Sequence, residues 1–212
     1  MSKITKIEVQ KKDKERVNIY IDEEFYIAVF AEIIYSLNIK KGDVIDKDTL
    51  DEMLKNEMFM KCKNKALSIL SRTGQSEKKI REKLHSDFDE ITIDDTIIFL
   101  KNYNFINDDE LAERIVNTNI NLNKYGKNKI KQNLYNKGIN SSIINEAISS
   151  LDSDKEFENA LHLAKKRYER VKNEDRRKIY QKISQHLAYK GFEYDIIKKV
   201  LNQLLSYDEY DL

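Results

Sequence analysis

The segment Gly126 to Gly138, GKNKIKQNLYNKG, has a design that returns fifty-three residues further along the chain. Ile130 and Leu134 stand four apart with Gly138 four beyond, and Ile183, Leu187 and Gly191 keep the same spacing. Such a stripe is one buried face of a short helix that stops at glycine. The next helix matches too: Ile196, Ile197, Val200, Leu201 and Leu204 fall on Ile143, Ile144, Ala147, Ile148 and Leu151, so eight positions agree in one register. A weaker copy lies fifty residues upstream, where Ile80, Leu84, Ile93, Ile97 and Ile98 take the places of Ile130, Leu134, Ile143, Ala147 and Ile148. There Phe88 replaces the glycine and the register slips by one at Leu100. Three repeats of roughly fifty residues, each of three helices, predict an elongated helical array.

Composition agrees with helix. Proline is absent from the 212 residues, where average usage would supply roughly ten. The near-balance of 38 basic and 37 acidic residues conceals an uneven distribution. Asp87 to Glu113 holds nine acids against Lys101 alone, Leu122 to Gly138 holds five lysines and no acid, and His162 to Lys190 holds ten Lys or Arg against three acids. The basic runs are candidates for an anionic partner, although solvated helix faces and a lysine-rich composition account for them equally well. Within them the anion-facing candidates are Lys124, Lys127, Lys129 and Lys131 in the second repeat, and Arg176, Arg177, Lys178 and Lys182 in the third. Contact with phosphate or an acidic surface is the role expected of them, rather than base reading.

In chain order, residues 1–47 read as a β-rich extension. Two strands, Ile4 to Val9 and Val17 to Ile21, are joined by the turn KKDKE; a third runs from Phe25 to Phe30 after the acidic turn Asp22-Glu23-Glu24. A short helix follows over Ala31 to Leu37, then a turn at Lys40 to Asp43. Residues 48–62 read as a linking helix, 63–106, 107–151 and 152–206 as the three repeats, and 207–212, YDEYDL, as a polar, frayed tail. Ser76, Asn107, Ser141-Ser142 and Asp152 supply helix starts. The lone Cys62 excludes an internal disulfide framework and suits a reducing cytosol. With no signal-like apolar run and no stretch of eighteen apolar residues, a soluble, cytoplasmic protein without membrane contact is expected.

The motifs of catalysis are missing. No glycine-rich phosphate loop, paired-cysteine zinc spacing, nucleophile elbow or HExxH helix occurs, and His85, His162 and His186 lack regularly spaced partners. Acid pairs such as Asp94-Asp95 and Asp108-Asp109 sit at helix starts, which explains them without acid–base chemistry. An enzyme is not expected, nor a metal or other cofactor. Tyr125 and Tyr135 flank the lysines of the second repeat and Tyr180 lies among the basic residues of the third; each ring is a candidate for base stacking or for packing at the core boundary.

Several of these segments together resemble one family. Ala66 to Arg72 (ALSILSR), Ser76-Glu77 with Ile80 and Leu84, Leu100 through Phe105-Ile106-Asn107-Asp108-Asp109-Glu110-Leu111-Ala112, and Tyr125-Gly126 through Lys137-Gly138-Ile139 are similar to the RecX regulatory proteins. The Asp22 to Phe25 turn and Lys41-Gly42-Asp43 resemble the N-terminal β extension of members from Gram-positive bacteria. The resemblance covers essentially the whole chain. It implies a mainly α fold, a curved stack of three-helix repeats with a small β-rich extension, and a non-enzymatic regulator of the RecA recombinase. Such a protein lies in the groove of the RecA filament on single-stranded DNA, inhibiting its extension, strand exchange and ATP hydrolysis and promoting disassembly. A monomer that holds DNA weakly by itself is the expected form. Two rival readings stand beside it: a helix-turn-helix transcription regulator, against which the lysine-rich helices and the lack of an apolar dimer seam argue, and a plain scaffold with solvated basic faces.

Overall fold

The computed structural model describes residues 1–206, so the expected tail YDEYDL lies outside the described residues. The chain is mainly α, with three-helix repeats and a small N-terminal sheet. Contacts divide it into two compact units, Met1–Thr73 with Arg81–Phe105, and Gly74–Ile80 with the chain from Ile106 onward.

In the first unit, β1 (Ser2–Val9), β2 (Arg16–Ile21), β3 (Glu24–Phe30) and the two-residue β4 (Val44–Ile45) form an antiparallel sheet in the order β3-β2-β1-β4. Ile4 and Ile7 are three apart, which breaks strict alternation, and an irregularity between Ile4 and Lys6 absorbs the odd residue so that Ile4 faces Ile21 and Ile7 faces Ile19. The β2–β3 turn places Asp22 and Glu23 at φ 51° and 72°. Hydrogen bonds to β1 hold it there: Lys3 N donates to Asp22 Oδ1, and Glu23 N to Thr5 Oγ1. β4 is absent from the sequence reading because two residues carry no period. Helix α1 (Ala31–Ser36) follows the sheet, and α2 runs unbroken from Lys47 to Leu70. The linking helix and the start of the first repeat are thus one helix. Cys62 and Ala66 of α2 are buried, as are Ile93, Ile97 and Leu100 of α4 (Glu90–Asn102), which packs against it. Burial pushes the Cys62 thiol above its ordinary pKa, as for a packing residue.

Helices α5 (Asp108–Asn121), α6 (Lys127–Asn136) and α7 (Ser141–Ser149) make the second repeat, and α8 (Ser153–Tyr168), α9 (Arg176–Tyr189) and α10 (Tyr194–Ser206) the third. Each repeat has its own core, around Leu111, Ile130, Leu134 and Ile144 in one and Ala160, Ile183, Leu187, Val200 and Leu201 in the other. The N-cap of α7 is Asn140, whose Oδ1 accepts from Ser142 N, one position before the serines expected in that role.

The glycines that end α6 and α9 adopt φ of 80° and 90°. The next residue reaches back five positions in both cases, Ile139 N to Leu134 O and Phe192 N to Leu187 O. Helix α3 (Glu77–Leu84) closes differently: Phe88 is buried without a positive φ, and its N–H donates to Leu84 O. That turn is one residue shorter, so Ile93 follows Leu84 by nine positions where Ile144 follows Leu134 by ten. The slip expected at Leu100 therefore falls before α4, and Ile98, read from sequence as an inner residue, is exposed.

A Cβ added at Gly191 would overlap the backbone of Lys129 on α6, whereas one added at Gly42, also at positive φ, would meet open space. Gly42→Ala is expected to lower stability by about 1 kcal/mol, the strain of the backbone alone. Gly191→Ala should cost at least about 3 kcal/mol, because overlap is added to strain. Urea unfolding of the two variants measures the difference.

Candidate nucleic-acid interface

Most helices open on an acidic residue, which complements the positive end of the helix dipole, but α6, α7 and α9 have no acid in the first turn; α7 opens on uncharged residues, α6 and α9 on cations. The cations are Lys127 and Lys129 on α6, and Arg176, Arg177 and Lys178 on α9. Gly126 offers α6 no side-chain cap. Its first N–H groups are taken by the third repeat: Gly126 N donates to Lys190 O, Asn128 N to Gly191 O and Lys127 N to Glu156 Oε1, all at 3.0 Å. Glycine is required on both sides, since a Cβ on Gly126 would overlap the backbone of Gly191.

The same joint is built once more inside the second unit. There Ser76, preceding α3, stands where Gly126 stands, and its Oγ donates to Lys137 O in the turn of Gly138 at 2.6 Å. Asp108 Oδ1 accepts from Glu77 N at 3.0 Å, the part that Glu156 plays on α6. The starts of α3 and α6 thus dock on successive Lys-Gly turns.

This seam divides the eight sequence candidates. Lys127 Nζ lies 3.3 Å from Oε2 of the buried Glu156, and Lys124 Nζ donates to Oδ1 of the buried Asn159 at 3.3 Å. Both lysines are committed to joining repeats. Lys129 is partly buried; its ammonium bonds Gln132 Oε1 and sits 5.7 Å from the ring centre of Tyr189. Lys182 is paired with both oxygens of Glu174 at 2.6 Å. Lys131, Arg176, Arg177 and Lys178 project into solvent, and Arg176 and Arg177 with Tyr180 line one side of a concavity of about 700 Å³. The two groups do not form one cluster: α6 starts at the C-terminal end of α9, and the arginines at the other end lie about 20 Å away at 1.5 Å per residue. Of the tyrosines, Tyr125 packs on the core of its repeat, whereas Tyr135 is exposed.

Sequence reasoning passed over Glu156 and Asn159, the buried polar residues that tie α8 to the second repeat, and also Lys190, whose ammonium lies 5.0 Å from the ring centre of Tyr125. The repeated Lys-Gly pair, Lys137-Gly138 and Lys190-Gly191, was the available signal for Lys190. Nothing periodic distinguishes Glu156 from any solvated acid.

With this geometry in view, comparison with known proteins is informative. The protein-family model for the regulatory protein RecX N-terminal domain matches residues 2–46, and those for the second and third RecX three-helix domains match 107–148 and 154–201. The regulatory protein RecX of Clostridioides difficile (strain 630) is 65% identical over 212 residues, with all of both chains covered. The chain belongs to the RecX family of regulatory proteins. RecX of Clostridium perfringens (strain 13) is 40% identical, with 99% of each chain covered. A crystal structure of a regulatory protein RecX superposes with a TM-score of 0.65 at 30% identity, covering 94% of this chain and 98% of that one. Another, from Lactobacillus salivarius, gives 0.66 at 34% identity over 70% of this chain and 97% of its own. A regulatory role accordingly follows from membership. Among the described residues, no helix is long and apolar enough to cross a membrane.

Glu156→Ala removes the acceptor for Lys127 N–H and leaves a half-buried ammonium without its counter-charge, so a loss of about 2–4 kcal/mol is expected. Glu156→Gln, which keeps an acceptor oxygen, should lose less than half of that. Thermal unfolding of both variants provides the measurement, and equal losses would contradict the capping role.

Proposed function

We propose that this protein is a non-enzymatic regulator of a RecA-type recombinase that acts, without a cofactor, by binding the recombinase filament on single-stranded DNA. Bound there in the cytoplasm as a monomer, it inhibits filament extension, strand exchange and ATP hydrolysis, and it promotes disassembly. The repeats 63–106, 107–151 and 152–206 act as consecutive binding units, and residues 1–47 form an extension to the first. Family membership supports the general role. One observation carries the finer one: Lys131 of α6 and Arg177 and Lys178 in the first turn of α9 project into solvent, where an anionic partner can engage them. Because α6 starts on the α9–α10 turn, the two cationic helix starts are held at a fixed spacing suited to successive phosphates or acidic patches along a filament. DNA is held weakly without the recombinase, since Lys124, Lys127 and Lys182 already have partners within the protein.

The direct test is RecA ATP hydrolysis on single-stranded DNA with this protein added well below one copy per RecA monomer. Strong inhibition is expected at that ratio; no effect at equal concentrations would contradict the proposal. Lys131→Glu, Arg177→Glu and Lys178→Glu combined should weaken inhibition about tenfold or more with thermal stability unchanged, because none of these side chains is used in packing. Reversing Lys127 would confound the experiment by setting a second carboxylate against Glu156.

A further inference from the structure

The second repeat lacks a packing element that the other two have. In each repeat the first helix packs against the third and buries two compact residues four apart: Cys62 and Ala66 on α2, Ala112 and Val116 on α5, Ala160 and Ala164 on α8. Three positions before each pair stand Phe59, Asp109 and Phe157. The two phenylalanines pack inward: the Phe59 ring lies 6.0 Å from that of Phe99 on α4, and Phe157, with Leu161 one turn on, packs on the core of the third repeat. On α5 the residue matching Leu161 is Glu113. The third helix is cut back as well, since Ala147 of α7 stands where α4 has Thr96 and α10 has Val200, both wholly buried. What remains between α5 and α7 is a slot of about 180 Å³ whose apolar lining is Ala112, Val116, Ile143 and Ala147.

Asp109, Glu113 and Glu146 rim this slot, all three are exposed, and none of their carboxylates has an ion pair or hydrogen bond among the described residues. Other acids of the run that begins at Asp87 are committed: Asp87 pairs with Lys65, Asp89 caps α4, Asp94 pairs with Arg81, and Asp108 accepts from Glu77 N. The helix dipole accounts for Asp109, in the first turn of α5, but not for Glu113 in the second turn or for Glu146 in the last turn of α7. A rim of this sign repels phosphate, and pockets that hold a nucleotide or other small molecule are larger, roughly 300–1,000 Å³. One long side chain fits better. The methylene stem of an arginine is complementary to the apolar lining, and its planar guanidinium can bond more than one carboxylate of the rim.

We infer that the slot between α5 and α7 is a docking site for an arginine presented by a protein partner, and that this partner is the recombinase protomer. Naming the recombinase rests on the filament reading. Lys131, Arg177 and Lys178 then engage the anionic side of the filament, and the slot engages its protein side. Cations alone hold any single-stranded DNA, whereas a slot that takes a protein side chain confines tight binding to DNA coated by the recombinase.

The test compares the full chain with two variants. Asp109→Phe fills the slot with the residue that the other repeats carry, and Glu113→Gln with Glu146→Gln removes charge while keeping shape. Fluorescence anisotropy of the labelled chains measures binding to RecA filaments on single-stranded DNA and to bare oligothymidylate, and thermal unfolding checks that each variant is folded. Both variants should bind the filament about tenfold or more weakly, and oligothymidylate within about twofold of the native chain. Native affinity for the filament in both variants would overturn the slot and leave the filament reading standing. No filament binding by the native chain would overturn that reading and the recombinase as partner together. A loss with Asp109→Phe but not with the glutamines would overturn the arginine, since an uncharged side chain would then fill the slot. An equal loss of oligothymidylate binding would overturn the assignment to protein. Self-association of the native chain in sedimentation velocity, abolished in both variants, would overturn the recombinase in favour of a second copy.

Discussion

Two glycines in contact set the geometry of the second and third repeats. Gly191 lies against the backbone of Lys129, and Gly126 against that of Gly191, at distances that admit no Cβ on either residue. The approach brings the carbonyl oxygens of Lys190 and Gly191 to the N–H groups that begin α6. A helix start normally leaves such donors to a capping side chain or to water. Here the neighbouring repeat satisfies them, so the cap of one helix is also the joint between two repeats. Ser76 at the turn of Gly138 repeats the arrangement with a hydroxyl in place of the first glycine.

A joint of this kind frees the first turn of α6 from the need for an acid. Glu156, supplied by α8 and buried, brings a negative charge to that turn. Lys129 of the same turn bonds Gln132 Oε1, and Lys131, one position beyond that turn, points to solvent. At α9 the cap is the ordinary one, with Asp175 accepting from Arg177 N, yet the three residues after it are all cations. Lys131, Arg177 and Lys178 carry charge that packing did not demand. That is the physical ground for assigning them to an anionic partner, and it separates them from Lys124, Lys127 and Lys182, whose charges are used inside the protein.

The repeats were legible in sequence because Ile130, Leu134 and Gly138 recur as Ile183, Leu187 and Gly191, and burial at helical spacing demands such a pattern. The strands of the extension were legible from the alternation of Val17, Ile19 and Ile21, each buried. The first repeat was read with its third helix one residue out of register, because the shortened turn at Phe88 has no signature apart from the missing glycine. The site was harder to read for a similar reason. Lysine looks the same in a sequence whether it faces solvent, as Lys131 does, or a buried carboxylate, as Lys127 does, and only the position of Glu156 on another helix separates the two.

The cationic helix starts keep their spacing only if α6 truly begins against the α9–α10 turn. Native-state amide hydrogen exchange reads this directly, since N–H groups in a first helical turn ordinarily have no partner in the protein. The amides of Gly126, Lys127 and Asn128 are predicted to exchange as slowly as those of Ile183 and Leu187 in the core of the third repeat, opening only when the seam unfolds. Exchange at the rate of a solvent-exposed helix start would contradict the joint, and with it the fixed spacing on which the proposed mode of filament binding depends.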